Sequence, residues 1–223
     1  MLGTIYLGGG GSPEDELPVW ADMLHETKRV LYWPFALHGE MLEGADSWLR
    51  GNLAEMWPSV QVSTWTKLDG HLPEELAEFD MLFVGGGNTF DLLAHVVSNG
   101  FMSPVRQFVA AGGSYYGGSA GAILAGDSIG IAEAYDHNET RLEDFEGLGL
   151  TPGSTILPHY APHEEDTGRL WSRKQGMTVL GIPERSGLKI KDGQAQVLGR
   201  EPVYVIRATE TTVARPGELL PEL

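Results

Sequence analysis

The stretch YYGGSAGAILAG, residues 115–126, places one serine among three glycines, between two tyrosines and an apolar run. Its centre fits G-x-S-x-G, the nucleophile elbow, in which a serine occupies a sharp turn from a strand into a helix. Glycines are needed there because side chains would block neighbouring backbone. Such a turn would expose the hydroxyl of Ser119 and direct the backbone N–H of Ala120 towards a developing oxyanion. Alternatively, Ser119 only caps the following helix.

Short apolar runs alternate with longer amphipathic segments along most of the chain. Several of the runs are apolar at successive residues, as expected for strands that are covered on both faces. We predict strands at 4–8, 29–35, 60–65, 81–85, 113–117, 154–158 and 178–182, and helices at 13–27, 40–57, 89–99, 103–111 and 164–176. This alternation predicts an α/β fold with a mostly parallel central sheet flanked by helices.

The carboxyl-terminal part has a different pattern. Residues 188–199, 202–207 and 211–217 form short apolar runs separated by turn signals such as Asp192-Gly193. They predict a β-hairpin or meander that closes the sheet. Because the chain shows no internal repeat and no break in composition, we predict a single domain over residues 1–223.

The composition narrows the classes of function. Lysine and arginine total 15 against 31 aspartate and glutamate residues, a formal net charge of −16. That charge disfavours nucleic acid and anionic membranes as partners. The absence of cysteine excludes disulfides and a cysteine nucleophile, and it fits a reducing compartment. With no secretion-signal pattern and no apolar run near the roughly 20 residues that span a bilayer, we expect a cytoplasmic protein.

A second glycine cluster, residues 85–87, follows the predicted strand at 81–85. Ligands of open α/β sheets bind beyond the carboxyl ends of the strands, so this loop and the elbow are expected at one site. The backbone N–H of Gly87 would be a second oxyanion donor. A phosphate-binding loop is the alternative, although no G-K-[ST] follows. The glycine run that opens residues 8–15 is expected to be a mobile loop over the same edge.

A serine nucleophile needs a base, and His159 is the best placed of the seven histidines because it directly follows the predicted strand at 154–158. His163 lies four residues later, which also suggests a metal site. Two histidines at that spacing chelate well on a helix, but Pro158 and Pro162 make a helix there unfavourable. We therefore expect no metal there.

Three carboxylates are candidates for the acid that orients the histidine. Glu184 follows the predicted strand at 178–182 and is preferred because it ends on the same edge of the sheet. Asp136 lies in the region after the elbow helix and is the second choice. Asp192 belongs to a Lys-Asp-Gly turn, where its residue type already suits a hairpin.

Four motifs together resemble the peptidase E family of aspartyl dipeptidases and, more distantly, the cyanophycinases. They are FVGGGNTFDLL, YYGGSAGAILAG, ILPHYAPHEEDTGR and GIPERSGL, which occur in that order between about Met81 and Leu188. The resemblance implies a flavodoxin-like three-layer sandwich related to class I glutamine amidotransferases. It also implies a cofactor-free serine hydrolase that releases an N-terminal aspartate from small peptides, and a family that is commonly dimeric.

Carried over by motif, Ser119 resembles the family nucleophile, His159 the general base and Glu184 the acid, while Gly87 and Ala120 resemble the oxyanion hole. The resemblance further implies that Asn88 holds polar groups of the substrate.

The resemblance also implies that Arg169 and Arg173 grip the substrate aspartate, since a guanidinium binds a carboxylate through two parallel hydrogen bonds. Ordinary helix-surface charge is the alternative for both arginines. The tryptophan-rich region 47–65 is a candidate dimer interface. The sequence departs from the family at Arg185 and Ser186, which precede Gly187 where glycine often follows the Pro-Glu pair. Other peptide, β-aspartyl or ester substrates, and a non-catalytic ligand-binding module, therefore stay open as alternatives.

Overall fold

The computed structural model describes residues 2–221; the predicted domain also included Met1, Glu222 and Leu223, which lie outside the described residues. The strands are β1 (Ile5–Gly8), β2 (Arg29–Trp33), β3 (Gln61–Thr64), β4 (Met81–Val84), β5 (Ser114–Gly118), β6 (Ser154–Pro158), β7 (Thr178–Ile182), β8 (Ser186–Lys191), β9 (Gln194–Gly199), β10 (Val203–Ile206) and β11 (Thr211–Ala214). The α-helices are α1 (Leu17–Met23), α2 (Gly39–Ala54), α3 (Thr89–Ser98), α4 (Met102–Ala110), α5 (Ala120–Ala125) and α6 (Glu165–Gln175).

Seven strands form a large central sheet in the order β3-β2-β4-β5-β1-β8-β9. The strands from β3 to β1 are parallel to one another, whereas β8 and β9 add an antiparallel hairpin to the edge of β1. The predicted α/β fold, a mostly parallel central sheet with a carboxyl-terminal hairpin, is therefore confirmed.

Strands β2 and β4 of this sheet are apolar at successive residues because both of their faces are buried. In β4, Met81 and Phe83 pack into the cluster that contains the buried faces of α1 and α2. Their neighbours Leu82 and Val84 pack on the opposite side, with α3, α4 and α5. The same alternation recurs in β2, and it produces three layers, with helices on both sides of the sheet.

β6 and β7 lie in a second sheet of four strands, in the order β11-β10-β7-β6. From the sequence we expected both strands in the central sheet. The difference arises because β8 occupies the free edge of β1, so β6 and β7 pair with each other and β7 pairs with β10. Helix α5 contacts both β5 and β6, and α6 covers β7 and β10. Within residues 2–221, no helix is both long and apolar enough to cross a membrane.

Candidate active site

The nucleophile elbow joins β5 to α5 at a single residue, Ser119, whose φ of 51° and ψ of −113° are strained for an L-residue. The surrounding backbones pass too closely for side chains. A Cβ added at Gly117 would lie 2.3 Å from the carbonyl oxygen of Gly121, and one added at Gly121 would lie 2.3 Å from that of Val84. These contacts explain the glycines of the motif.

The side chain of Ser119 makes no capping hydrogen bond to α5. Its Oγ lies 3.0 Å from Nε2 of His159, and Nδ1 of His159 lies 2.9 Å from Oε1 of Glu184. An ionised carboxylate can only accept a hydrogen bond, so Nδ1 carries the ring proton and Nε2 is left to accept the hydroxyl proton. The three residues therefore form a continuous hydrogen-bonded chain oriented for proton removal from Ser119.

The two sheets contribute different members of this chain. Ser119 follows β5 of the central sheet, whereas His159 directly follows β6 and Glu184 lies two residues after β7 of the second sheet. His159 has a left-handed φ of 53°, and its backbone N–H donates to the carbonyl oxygen of Gly9 at 2.8 Å. A Cβ added at Gly10 would lie 2.5 Å from the His159 ring. The amino-terminal glycine loop thus supports the imidazole directly.

The other two candidate acids lie elsewhere. Asp136 accepts a hydrogen bond from the backbone N–H of Thr89 at 2.8 Å and so caps the start of α3. Asp192 occupies the exposed turn between β8 and β9 with a φ of 50°, which agrees with the turn interpretation of its sequence. Of these three carboxylates, all within the described part of the chain, Glu184 is the one bonded to His159.

The two residues expected to supply oxyanion donors, Ala120 and Gly87, lie in the connections after two different strands. Ala120 is the first residue of α5, so its N–H has no acceptor within the helix. The loop after β4 approaches from the other side, since a Cβ added at Gly86 would lie 3.0 Å from Cβ of Ser119. Gly87 has a φ of 130°, and a Cβ there would lie 2.1 Å from the carbonyl oxygen of Ala36. Ala120 directly follows Ser119 and Gly87 follows the glycine that contacts it, and the role of their N–H groups as oxyanion donors stays a prediction.

Asn88, which we expected to hold polar groups of the substrate, makes hydrogen bonds within the fold. Its side-chain oxygen accepts hydrogen bonds from the N–H groups of Phe90 at 2.9 Å and Asp91 at 3.1 Å, which caps α3. Its Nδ2 donates to the carbonyl oxygen of His137 at 2.9 Å. The sequence N-T-F-D already contained this capping signal, since asparagine is a preferred residue before a helix.

The two arginines expected to bind a substrate carboxylate are bonded within and beside α6. Arg169 donates to Oε1 of Glu165 at 2.9 and 2.7 Å, a pairing set by their separation of one helical turn. Hydrogen bonds from Thr211 and Arg169 lower the pKa of Glu165. Arg173 donates to the carbonyl oxygen of Ala208 at 3.2 Å. These contacts agree with the helix-surface alternative, and substrate binding by the two arginines stays a prediction.

The metal alternative at His163 has no support in the geometry. His163 lies in a short 3₁₀ turn, Pro162–Glu164, and its side chain is exposed. In the part of the chain that the structure describes, no three histidine, aspartate or glutamate side chains are grouped so that they could hold a metal ion.

Glu16 is a residue that sequence reasoning missed. It is 1% exposed, and its carboxylate accepts hydrogen bonds from the N–H of Gly10 at 2.7 Å and from the hydroxyl of Tyr116. Burial raises the pKa of Glu16 above its ordinary value. The loop that we expected to be mobile is therefore fixed by this carboxylate, by the Gly9–His159 bond and by a bond from Gly9 N–H to Ser186 O. A lone acid before a helix carries no sequence signal of burial.

A cavity of about 430 Å³ opens beside Ser119, between α2 and the carboxyl halves of β2, β4 and β5. Trp48, in the region considered as a dimer interface, lines this cavity and is 45% exposed, whereas Trp65 from the same region is buried in the core. A larger cleft of about 970 Å³ contains none of the three hydrogen-bonded residues and is lined by Asp80 and Lys189 among others.

Comparisons with a family model, with related sequences and with solved structures all identify peptidases. The family model "Peptidase family S51" matches residues 5–198. Peptidase E of Citrobacter koseri is 29% identical over 223 residues, covering 96% of this chain and 95% of the relative, and peptidase E of Salmonella arizonae is 28% identical with the same coverage. The crystal structure of a peptidase from an acI-B1 actinobacterium superposes with a TM-score of 0.74 at 17% identity, covering 99% of this chain and 97% of the other.

Proposed function

Because the chain belongs to peptidase family S51 and is a serine-type peptidase, we propose that it hydrolyses short peptides through Ser119, His159 and Glu184. The observation that supports this assignment is the chain of two hydrogen bonds, 3.0 and 2.9 Å long, that begins at the strained elbow serine. The carboxylate orients the imidazole, and the imidazole is within reach of the hydroxyl proton.

In the first half of the proposed reaction, Oγ of Ser119 attacks the scissile carbonyl carbon while Nε2 of His159 takes the hydroxyl proton. The carbonyl π electrons move to oxygen, and the N–H groups of Gly87 and Ala120 stabilise the resulting anion. The imidazolium is stabilised by Glu184. Collapse of the tetrahedral intermediate breaks the C–N bond, and His159 donates its proton to the departing amine.

In the second half, a water molecule replaces the amine. His159 removes a proton from the water, whose oxygen attacks the acyl carbon, and the same N–H groups hold the second anion. Expulsion of the Ser119 oxygen, with return of the proton from His159, releases the carboxylic acid product. Every proton in this cycle is handled by one imidazole, so the scheme requires no metal and no further side chain.

The test is a fluorophosphonate probe combined with a dipeptide panel, using the parent protein and Ser119→Ala. We expect the probe to add one adduct to the parent, on Ser119, and none to the variant. Removal of the nucleophile should reduce dipeptide hydrolysis by at least about 1000-fold. Retained turnover in a folded Ser119→Ala protein, or no labelling and no hydrolysis by the parent, would contradict the proposal.

The residue accepted at the scissile bond is a separate question. The resemblance implies an N-terminal aspartate, which requires a cation in an otherwise acidic protein. The two expected cations, Arg169 and Arg173, are bonded to Glu165 and to the carbonyl oxygen of Ala208. The aspartyl substrate therefore stays a prediction, and the dipeptide panel includes it alongside β-aspartyl and ester substrates.

A further inference from the structure

We propose that Glu16 is a positioning residue for the reaction. Its buried carboxyl group holds the glycine loop, residues 8–11, in the place where that loop keeps the His159 imidazole against Ser119. This inference rests on the proposed function, since Glu16 acts through His159. Glu16 does not touch the reacting atoms, because it is 1% exposed and is not one of the described residues that line the cavity beside Ser119.

One peptide group connects the carboxyl group of Glu16 to His159. The N–H of Gly10 donates to Oε1 of Glu16 at 2.7 Å, and the carbonyl oxygen of Gly9 accepts from the N–H of His159 at 2.8 Å. This N–H and this carbonyl oxygen belong to the same Gly9–Gly10 peptide group, which is planar and rigid. A displacement of its Glu16 end is therefore transmitted to the backbone of His159.

The glycine loop also lies against all three residues of the hydrogen-bonded chain. A Cβ added at Gly10 would lie 2.5 Å from Cε1 and Nε2 of His159 and 3.0 Å from Cβ of Ser119. A Cβ added at Gly11 would lie 2.4 Å from the carbonyl oxygen of Glu184. There is no room for a methyl group between the loop and these residues, so the position of the loop limits the movement of the imidazole away from the hydroxyl.

Tyr116 binds the other oxygen of the Glu16 carboxyl group. It lies in β5, three residues before Ser119, and its hydroxyl donates to Oε2 of Glu16. The carboxyl group thus joins the strand that carries the nucleophile to the loop that supports the base. Both of these hydrogen-bond partners are neutral, and burial of a carboxyl group without a cation lowers stability. Groups whose charge is disfavoured by burial concentrate at functional sites.

Three substitutions of Glu16 separate the hydrogen bond to Gly10 from charge and packing. Glu16→Gln removes the charge but keeps an oxygen for the Gly10 N–H, and its amide can donate to the Tyr116 hydroxyl. Glu16→Met keeps the length of the side chain and removes the acceptor. Glu16→Asp keeps the charge and withdraws the acceptor by one methylene group. Tyr116→Phe is the control variant, because it removes the other hydrogen bond of Glu16 and leaves the acceptor of the Gly10 N–H in place.

The experiment measures fluorophosphonate labelling of Ser119 against probe concentration, which gives a maximal rate and a half-saturating concentration. Glu16→Met and Glu16→Asp should lower the maximal rate by about 10- to 100-fold, because the imidazole loses its reactive geometry. The half-saturating concentration should not change, since the buried side chain does not reach the probe. Glu16→Gln and Tyr116→Phe should stay within about threefold of the parent, because both keep an acceptor for the Gly10 N–H.

Rates are compared on protein that circular dichroism shows to be folded, so a loss of stability alone does not change them. If folded Glu16→Met is labelled as fast as Glu16→Gln, or if Tyr116→Phe is slowed as much as Glu16→Met, the inference is overturned. If Glu16→Met does not fold, Glu16→Asp decides, and labelling at the parent rate overturns the inference. If the parent itself is not labelled, the proposed function is overturned instead.

Discussion

Substitution of Gly10 by alanine should make Ser119 unreactive although Ser119, His159 and Glu184 themselves stay unchanged. A Cβ at this position would lie 2.5 Å from both Cε1 and Nε2 of His159, and 3.0 Å from Cβ of Ser119. An unstrained carbon contact needs about 3.5 Å. The imidazole must therefore withdraw by about 1 Å, or the loop that carries residue 10 must move by a similar distance.

That displacement exceeds what the hydrogen bond between Ser119 and His159 tolerates. The bond is already 3.0 Å long, and the usual range of donor–acceptor distances in proteins ends at about 3.2 Å. Misplacement of a reacting group by about 1 Å typically costs about 100-fold in rate. We therefore expect Gly10→Ala to slow fluorophosphonate labelling of Ser119 by about 100-fold, a readout that does not depend on the substrate.

Gly70→Ala is the control variant, because Gly70 has nearly the same φ as Gly10 but a Cβ there would contact no other atom. Its φ is 90° against 88° for Gly10, and a Cβ at Gly70 meets nothing within 4 Å. Alanine should cost each site about 1–3 kcal/mol of unfolding free energy from the left-handed φ. Urea denaturation of both variants measures this shared cost. Labelling of a folded Gly10→Ala protein at the rate of Gly70→Ala would refute the argument.

Three further predictions follow from individual contacts. Glu184→Gln removes the charge that orients His159 and should slow labelling of the nucleophile by about 1000-fold; a change below tenfold would exclude it as the triad acid. Asp136→Ala removes the acceptor of the Thr89 N–H and should lower the unfolding free energy by about 1 kcal/mol with labelling unchanged, whereas a large loss of labelling would reinstate it as the acid. Burial raises the pKa of Glu16, so the parent loses stability as pH rises through that raised pKa. Glu16→Gln cannot ionise and should gain stability relative to the parent by up to about 1.4 kcal/mol per pH unit there, and a difference independent of pH in urea denaturation would contradict this.

Local patterns predicted the features whose causes are local. The glycines of residues 117–121 indicated the elbow because the turn itself brings residues 117 and 121 too close for a side chain at Gly117. The apolar run at Met81–Val84 indicated a strand covered on both faces, because its alternate residues enter the two halves of the core. The positions of His159 and Glu184 followed from the rule that strand ends carry the functional residues of α/β sheets.

Features that depend on contacts distant in sequence were not predictable. Nothing in β6 or β7 indicates that β8 takes the edge of β1 and leaves them to form a separate sheet. The burial of Glu16 depends on Tyr116, which is 100 residues away. The cavity likewise combines α2 with the carboxyl halves of three separate strands, and no motif records such a combination.

Because the site is assembled from two sheets, the protein should lose activity before either sheet unfolds. The chain leaves the second sheet after β7 and enters the central sheet at Ser186. Ser119 therefore belongs to one sheet and His159 and Glu184 to the other, and each sheet has its own backbone hydrogen bonds. A shift of a few tenths of an ångström between the two sheets would lengthen the hydrogen bond between His159 and Ser119. The backbone hydrogen bonds within each sheet would stay intact. Turnover should therefore decline at denaturant concentrations that are too low to change the circular dichroism spectrum. Loss of activity would then report on how the two sheets pack against each other.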